Sequence, residues 1–245
     1  MVDNMKKSKK IKILLVTVVF LLAVFSGLFV YAYFNGRSGL HPNPNSSVGD
    51  VRIACIGDSI TYGSTVKNWP KNNYPVILGN MLGDGYTVCN YGISGGTLLN
   101  SADKPYMQTE MFSASVDFLP DVVVLMLGTN DSKQDNWTNE IDFYDQLNAF
   151  VDEYESLSSK PSIILCTPCK AYSDIYTIQD TVVFKVAEIT KRTASERGLA
   201  LVDIHAISEH HPEWFETDGV HPNNDGAAAI AEAVYQAILS IEVKE

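Results

Sequence analysis

The chain has 245 residues and a formal net charge of −11, with 46% hydrophobic and 19% charged residues. That length admits one domain, or one domain with an appendage. The acidic balance disfavours nucleic acid and anionic membrane surfaces as partners and leaves neutral or cationic substrates open.

The appendage comes first. Lys6, Lys7, Lys9, Lys10 and Lys12 precede an uncharged apolar run over residues 13–34. About 20 apolar residues span a bilayer as a helix, so the run is long enough. A secretory signal has a shorter apolar core, about 7–15 residues, followed by a small-residue cleavage site. Ala32-Tyr33-Phe34 is a poor site of that kind. The sequence therefore favours an uncleaved transmembrane anchor over a signal that is removed before the protein is secreted. Residues 1–12 then form a cytoplasmic basic segment, and the bulk of the chain, the catalytic domain included, is expected on the extracytoplasmic side. Residues 35–50 are rich in Asn, Pro, Gly and Ser and read as a flexible linker. The first 34 residues hold five lysines and one aspartate, which leaves a charge of about −15 on everything that follows. Asn45-Ser46-Ser47 and Asn136-Trp137-Thr138 match the N-glycosylation acceptor pattern, which has meaning only in a eukaryotic source.

Residues 51–245 read as one domain in which strand and helix alternate. Apolar runs at 51–56, 86–91, 121–127, 162–167 and 199–204 are rich in Val, Ile and Leu, as strands buried on both faces are. Stretches of helical character lie at about 73–83, 107–118, 140–158, 180–197 and 223–241. Repeated units of this kind predict an α/β fold: a five-stranded parallel sheet with helices on both faces. Four cysteines are too few for a disulfide scaffold. Cys55 and Cys89 fall in strands and read as small core residues. Cys166-Thr167-Pro168-Cys169 has no second motif to complete a metal site, and its spacing favours a local disulfide over a redox pair.

In open parallel sheets the functional site lies outside the carboxyl ends of the strands. Gly57-Asp58-Ser59 follows the first strand, and Asn90 to Thr97 closes the second. Gly128-Thr129-Asn130-Asp131 follows the third, and the last leads through a loop to Asp218-Gly219-Val220-His221-Pro222. Each piece alone is an ordinary turn. In this order they supply a serine nucleophile, Ser59, a histidine base, His221, and an acid to orient it, Asp218. Three oxyanion donors are available: the backbone N–H groups of Ser59 and Gly95, and the side-chain amide of Asn130.

The chain from about Arg52 to Leu239 resembles the SGNH (GDSL-type) hydrolases, whose blocks carry Ser, Gly, Asn and His. Gly57-Asp58-Ser59 matches the first block, Asn90 to Thr97 the second, Gly128 to Asp131 the third and Asp218-x-x-His221-Pro222 the fifth. The resemblance implies a three-layer α/β/α flavodoxin-like fold and an acyl-enzyme mechanism with no metal and no cofactor. It implies Ser59, Asp218 and His221 as the triad, with Gly95 and Asn130 completing the oxyanion hole. The nearest-looking members are carbohydrate acetylesterases, so the expected substrate is a small-molecule or glycan ester carrying a short, acetyl-like acyl group. A lysophospholipase or thioesterase, and a catalytically silent glycan-binding module, are the alternatives. Cys169 and Lys170 depart from the proline-rich turn many relatives carry, in a loop expected to border the substrate pocket.

One rival lies within the chain. Gly92-Ile93-Ser94-Gly95-Gly96 matches the nucleophile elbow G-x-S-x-G, but that elbow runs straight into a helix. Gly-Gly-Thr is a poor helix start. The remaining histidines read as tether (His41) or surface loop (His205, His210, His211). A zinc site from Asp203, His205 and His210 lacks regular ligand spacing.

Overall fold

The computed structural model describes residues 51–241. The expected anchor over 13–34, the linker over 35–50, His41 and the Asn45 acceptor pattern lie outside the described residues. Among the described residues no helix is long and apolar enough to cross a membrane.

Five strands form one parallel sheet: β1 (Val51–Gly57), β2 (Tyr86–Gly92), β3 (Val122–Met126), β4 (Ser162–Cys166) and β5 (Ala200–Val202). Their order is β2-β1-β3-β4-β5. The chain thus steps outward to β2, returns past β1 to β3, and continues to the other edge. That reversal opens a crevice beyond the carboxyl ends of β1 and β3. The register aligns Gly57 of β1 with Gly92 of β2 and with Met126 of β3. The loops that follow therefore leave the sheet at one level.

Side chains along each strand alternate between two cores, as the period of two requires. Ala54, Ile56, Val123, Leu125, Ile163 and Leu165 face one cluster. That cluster is closed by α4 (Glu110–Asp117), α5 (Glu140–Glu155) and α6 (Asp180–Arg197). Ile53, Cys55, Val122, Val124, Ile164 and Val202 face the other. There α3 (Tyr74–Leu82) and α8 (Asn224–Ser240) cover the sheet. Helices on both faces of one sheet give the three expected layers.

The helices start where the sequence supplies caps. The side chain of Asn73 accepts from Val76 N–H, that of Thr109 from Phe112 N–H, and that of Asn139 from Ile141 and Asp142 N–H. Asn223 does the same for Asp225 and Gly226. Each cap satisfies donors that the first helical turn leaves open.

Three short helices lie where the sequence shows no periodicity: α1 (Ser59–Tyr62), α2 (Trp69–Asn72) and α7 (Ile204–Ser208). The last corrects the expected strand at 199–204. After three residues of strand, Asp203 caps Ala206 N–H and turns the apolar run into helix.

The cysteines also correct an expectation. All four are free thiols and all are buried. Cys166 and Cys169 both pack in the core beneath α8 as small apolar side chains. Burial pushes the Cys166 thiol up to about 12 and raises that of Cys169 as well. Neither makes the local disulfide.

Candidate active site

The turn after β1 is built by close packing. Gly57 has no room for a side chain: a Cβ there would lie 2.1 Å from Thr61 Oγ1 and 2.6 Å from the Met126 carbonyl. The chain therefore bends immediately into α1, and Asp58 becomes its N-cap, its Oδ1 accepting from Ile60 N–H at 2.8 Å. Ser59 is the first residue of that helix and is 8% exposed. Its hydroxyl emerges at the carboxyl edge of the sheet.

From the other side, the turn 218–222 brings in the histidine. Asp218 Oδ1 accepts from the backbone N–H groups of Val220 and His221, both at 2.9 Å, which folds the turn onto its own carboxylate. The second oxygen, Oδ2, lies 2.7 Å from His221 Nδ1. His221 Nε2 lies 2.9 Å from Ser59 Oγ. Partial burial pushes the Asp218 carboxyl up, but the two backbone donors and the imidazole outweigh it and hold the group below the usual carboxylate range. It is an anion at neutral pH, suited to fix the Nδ1–H tautomer and leave Nε2 free to accept a proton.

The other two loops converge on the same edge. Gly95 sits at φ +82°, in the left-handed region that glycine enters at little cost. Asn130 Nδ2 donates to the Gly96 carbonyl at 3.2 Å and to Asp58 Oδ2 at 3.4 Å. Ser59, Gly95, Asn130 and His221 line one cleft of about 350 Å³. Ser64, Thr65 and Ser94 add hydroxyl groups to its wall, and Tyr176, Ile178 and Val220 add apolar surface.

Two buried carboxylates hold these loops, and neither stands out in the sequence. Asp58 joins the serine turn to Asn130. Burial raises its pKa, opposed by the Ile60 N–H, His221 and Thr129. Asp131 accepts from the backbone N–H groups of Leu98 at 3.0 Å and Leu99 at 2.7 Å, locking the loop after β2 to the loop after β3. Burial pushes its carboxyl up to about 6 against those two donors. An acid at the N-cap position just before the serine, or one following Thr-Asn at a strand end, is the local signal that could have marked them. Asn90 completes the frame, donating to the Thr61 carbonyl at 2.9 Å and accepting from Gly92 N–H at 2.9 Å.

The rival serine stands elsewhere in this geometry. Ser94 is exposed, its hydroxyl 2.8 Å from Ser64 Oγ, and a turn rather than a helix follows it. His205, expected on a surface loop, is instead 6% exposed in α7, with its ring against Phe184. Its backbone N–H donates to Thr167 Oγ1 at 2.8 Å, and burial lowers the pKa of the imidazole. His210 and His211 remain outside the cleft, and Asp203, His205 and His210 do not gather into a metal-ligand cluster. The Asn136 acceptor pattern is inaccessible, for that side chain is buried and donates to Asp103 and to the Asn130 carbonyl. Cys169 and Lys170 do not line the cleft: the thiol is in the core and the ammonium pairs with Asp180 at 2.5 Å. Tyr176 and Ile178, further along the same connection, do.

Comparison with known proteins gives the family and the fold. Residues 55–229 match the model of the GDSL-like lipase/acylhydrolase family. An acetylxylan esterase of Xylanibacter ruminicola is 36% identical over an alignment covering 77% of this chain and 43% of the relative. The chain thus spans under half the length of that curated relative. Among solved structures, an acetylxylan esterase from Geobacillus stearothermophilus superposes with a TM-score of 0.61 at 22% identity, covering 80% of this chain and 97% of that one. An aryl esterase of M. smegmatis gives a TM-score of 0.65 at 19% identity, covering 78% of this chain and all of the other, 100%. Those two likenesses concern the fold. The chain belongs to the GDSL-like lipase/acylhydrolase family.

Proposed function

We propose that this protein is a serine esterase that removes short acyl groups, acetyl above all, from carbohydrates. The observation that carries the reading is the unbroken chain Ser59 Oγ, His221 Nε2, His221 Nδ1 and Asp218 Oδ2, with links of 2.9 and 2.7 Å, opening into a small hydroxyl-lined cleft.

In this mechanism Ser59 Oγ attacks the acyl carbonyl carbon while His221 Nε2 takes the hydroxyl proton. Asp218 holds the imidazolium through Nδ1–H. The carbonyl oxygen becomes an oxyanion and is met by the N–H groups of Ser59 and Gly95 and by the Asn130 amide, which gives up its long 3.4 Å contact with Asp58 Oδ2 to do so. The tetrahedral centre collapses, the carbon–oxygen bond to the sugar breaks, and His221 returns the proton to the leaving alkoxide. A water, deprotonated by His221, then attacks the acyl-Ser59 ester, and carboxylic acid leaves with Ser59 restored.

Cleft size supports a short acyl group. Ligand pockets run from about 300 to 1,000 Å³, and this one is near the lower bound. The hydroxyls of Ser64, Thr65 and Ser94 suit a sugar better than an alkyl chain. The 36% identical relative, by name an acetylxylan esterase, supports the same substrate class. Membrane anchoring through residues 13–34, with the domain outside, belongs to this proposal and is supported by the uncharged apolar run and its flanking lysines.

The test is initial rates of the purified domain on p-nitrophenyl acetate and p-nitrophenyl decanoate. Acetate is expected to be cleaved with the higher kcat/KM. Preference for decanoate would move the reading to a lysophospholipase or thioesterase, and absence of cleavage in both would move it to a glycan-binding module.

A further inference from the structure

The connection between β4 and α6 carries the most strained backbone at the cleft. Tyr176 and Thr177 lie consecutively at φ +63° and +61°, the left-handed region that L side chains avoid. Neither is glycine or asparagine. Residues held this way persist only where their surroundings impose it, and they collect at ligand clamps and active sites.

The surroundings do impose it. On one flank, Tyr172 N–H donates to the Gly219 carbonyl at 2.8 Å, and Ser173 Oγ donates to the Asp218 carbonyl. On the other, Gln134 N–H donates to the Thr177 carbonyl and Gln179 N–H to the Ser132 carbonyl, both at 3.2 Å, while Ile178 pairs with Lys133. The segment is thus tied at one end to the turn that carries His221 and at the other to the loop that carries Asn130. It crosses beside the cleft with its tip fixed.

What that tip presents is an aromatic ring. Tyr176 is 53% exposed, lines the cleft, and stands edge-on to the His221 ring with centroids 5.9 Å apart. Folding gains little from a ring half in water on a strained backbone, so stability does not account for it. Opposite in chemistry, the same cleft offers the hydroxyls of Ser64, Thr65 and Ser94. A pyranose ring needs this pairing: its C–H face packs on an aromatic plane while its hydroxyls bond to polar side chains.

We propose that Tyr176 is a specificity-determining residue, the platform on which the sugar ring of the ester's alcohol half lies while Ser59 attacks its acyl group. This rests on the carbohydrate-ester reading above. The ring touches substrate but moves no proton.

The test compares Tyr176→Ala, Tyr176→Phe and Tyr176→Gly with the wild type on an O-acetylated methyl xyloside and on ethyl acetate, which has no ring to stack. Tyr176→Ala is expected to lose about tenfold in kcat/KM on the xyloside, mainly through KM, with ethyl acetate unchanged within about threefold. Tyr176→Phe keeps the wild-type ratio of the two substrates. Tyr176→Gly loses the same discrimination as Tyr176→Ala and unfolds at the wild-type Tm or about 2–4 °C above it, because glycine relieves the backbone. Equal losses on both substrates would show that the ring only positions His221 and would overturn the proposal, as would no loss on either. A lowered Tm for Tyr176→Gly would overturn its strain premise. A wild type that cleaves ethyl acetate and not the xyloside would overturn the carbohydrate reading and this proposal with it. A wild type that cleaves both, with no selective loss in Tyr176→Ala, overturns this proposal alone.

Discussion

Ser59 and Ser94 occupy matching places in the fold. Each lies two residues beyond a glycine, Gly57 or Gly92, and those glycines are paired in register on neighbouring parallel strands. Both serines line the same cleft. They differ in what the preceding residue does. Asp58 caps a helix and is buried, so the chain turns at once and Ser59 is held 2.9 Å from His221. Ile93 caps no helix; the chain runs on through a turn, and the Ser94 hydroxyl lies 2.8 Å from Ser64 Oγ. A serine at the end of a parallel strand is common property of the fold. The buried carboxylate before it and the imidazole across from it are what distinguish a nucleophile from a wall residue.

That contrast can be broken most severely at the hydroxyls themselves. Ser59→Ala is expected to lower kcat on p-nitrophenyl acetate by several decades, on the order of 10⁴-fold or more, as loss of a triad member does. Ser94→Ala in the same assay is expected to stay within about threefold of wild type, since its hydroxyl is hydrogen-bonded to Ser64 and not to a histidine. Comparable losses in the two would erase the distinction.

The frame around the pair is sharpened by pH. Asp131 has a folded pKa of about 6 against an ordinary value of 3.8. The folded state therefore holds a proton that the unfolded state has already released, and stability falls as pH rises from about 4 to about 6. The gap between the folded and ordinary values corresponds to about 3 kcal/mol as an order of magnitude. In Asp131→Asn that part of the slope is absent. Chemical denaturation at pH 4 and pH 6.5 should show the wild type losing more stability between the two than the variant does. Parallel pH profiles would mean that Asp131 does not titrate in this window.

A smaller effect is expected at Asp58. Asp58→Ala removes the cap of α1, which costs about 1 kcal/mol in denaturant unfolding, and frees both the serine turn and Asn130. Activity should fall with it, while Ile93→Ala, at the matching place before Ser94, should leave kcat on a small ester near the wild-type value. Equal activity in Asp58→Ala and wild type would show that the cap does not position Ser59.

Much of this was legible in the sequence, for definite reasons. Strands buried on both faces must be continuously apolar, so the strands were visible as apolar runs, although the last proved to be a partly exposed edge of three residues. A parallel sheet sends their following loops to one edge. Ser59, Gly95, Asn130 and His221 could be placed together from that alone. What stayed hidden was short or depended on distant partners. Helix α1 has four residues and no period to read. The carboxylates of Asp58 and Asp131 face partners in other loops, Asn130 in one case and Leu98 and Leu99 in the other. Cys166 and Cys169 had disulfide-like spacing, but the core took both as apolar filler. Tyr176 carries no sequence signal, because backbone strain leaves no mark in composition.

The central claim, that Ser59 and not its counterpart Ser94 is the nucleophile, is tested most directly by covalent labelling. The domain would be treated with a fluorophosphonate, digested, and the modified peptide located by mass spectrometry. A single adduct on Ser59, abolished by His221→Ala and unaffected by Ser94→Ala, is the predicted result. An adduct on Ser94, or one on Ser59 that persists undiminished without His221, would contradict the account.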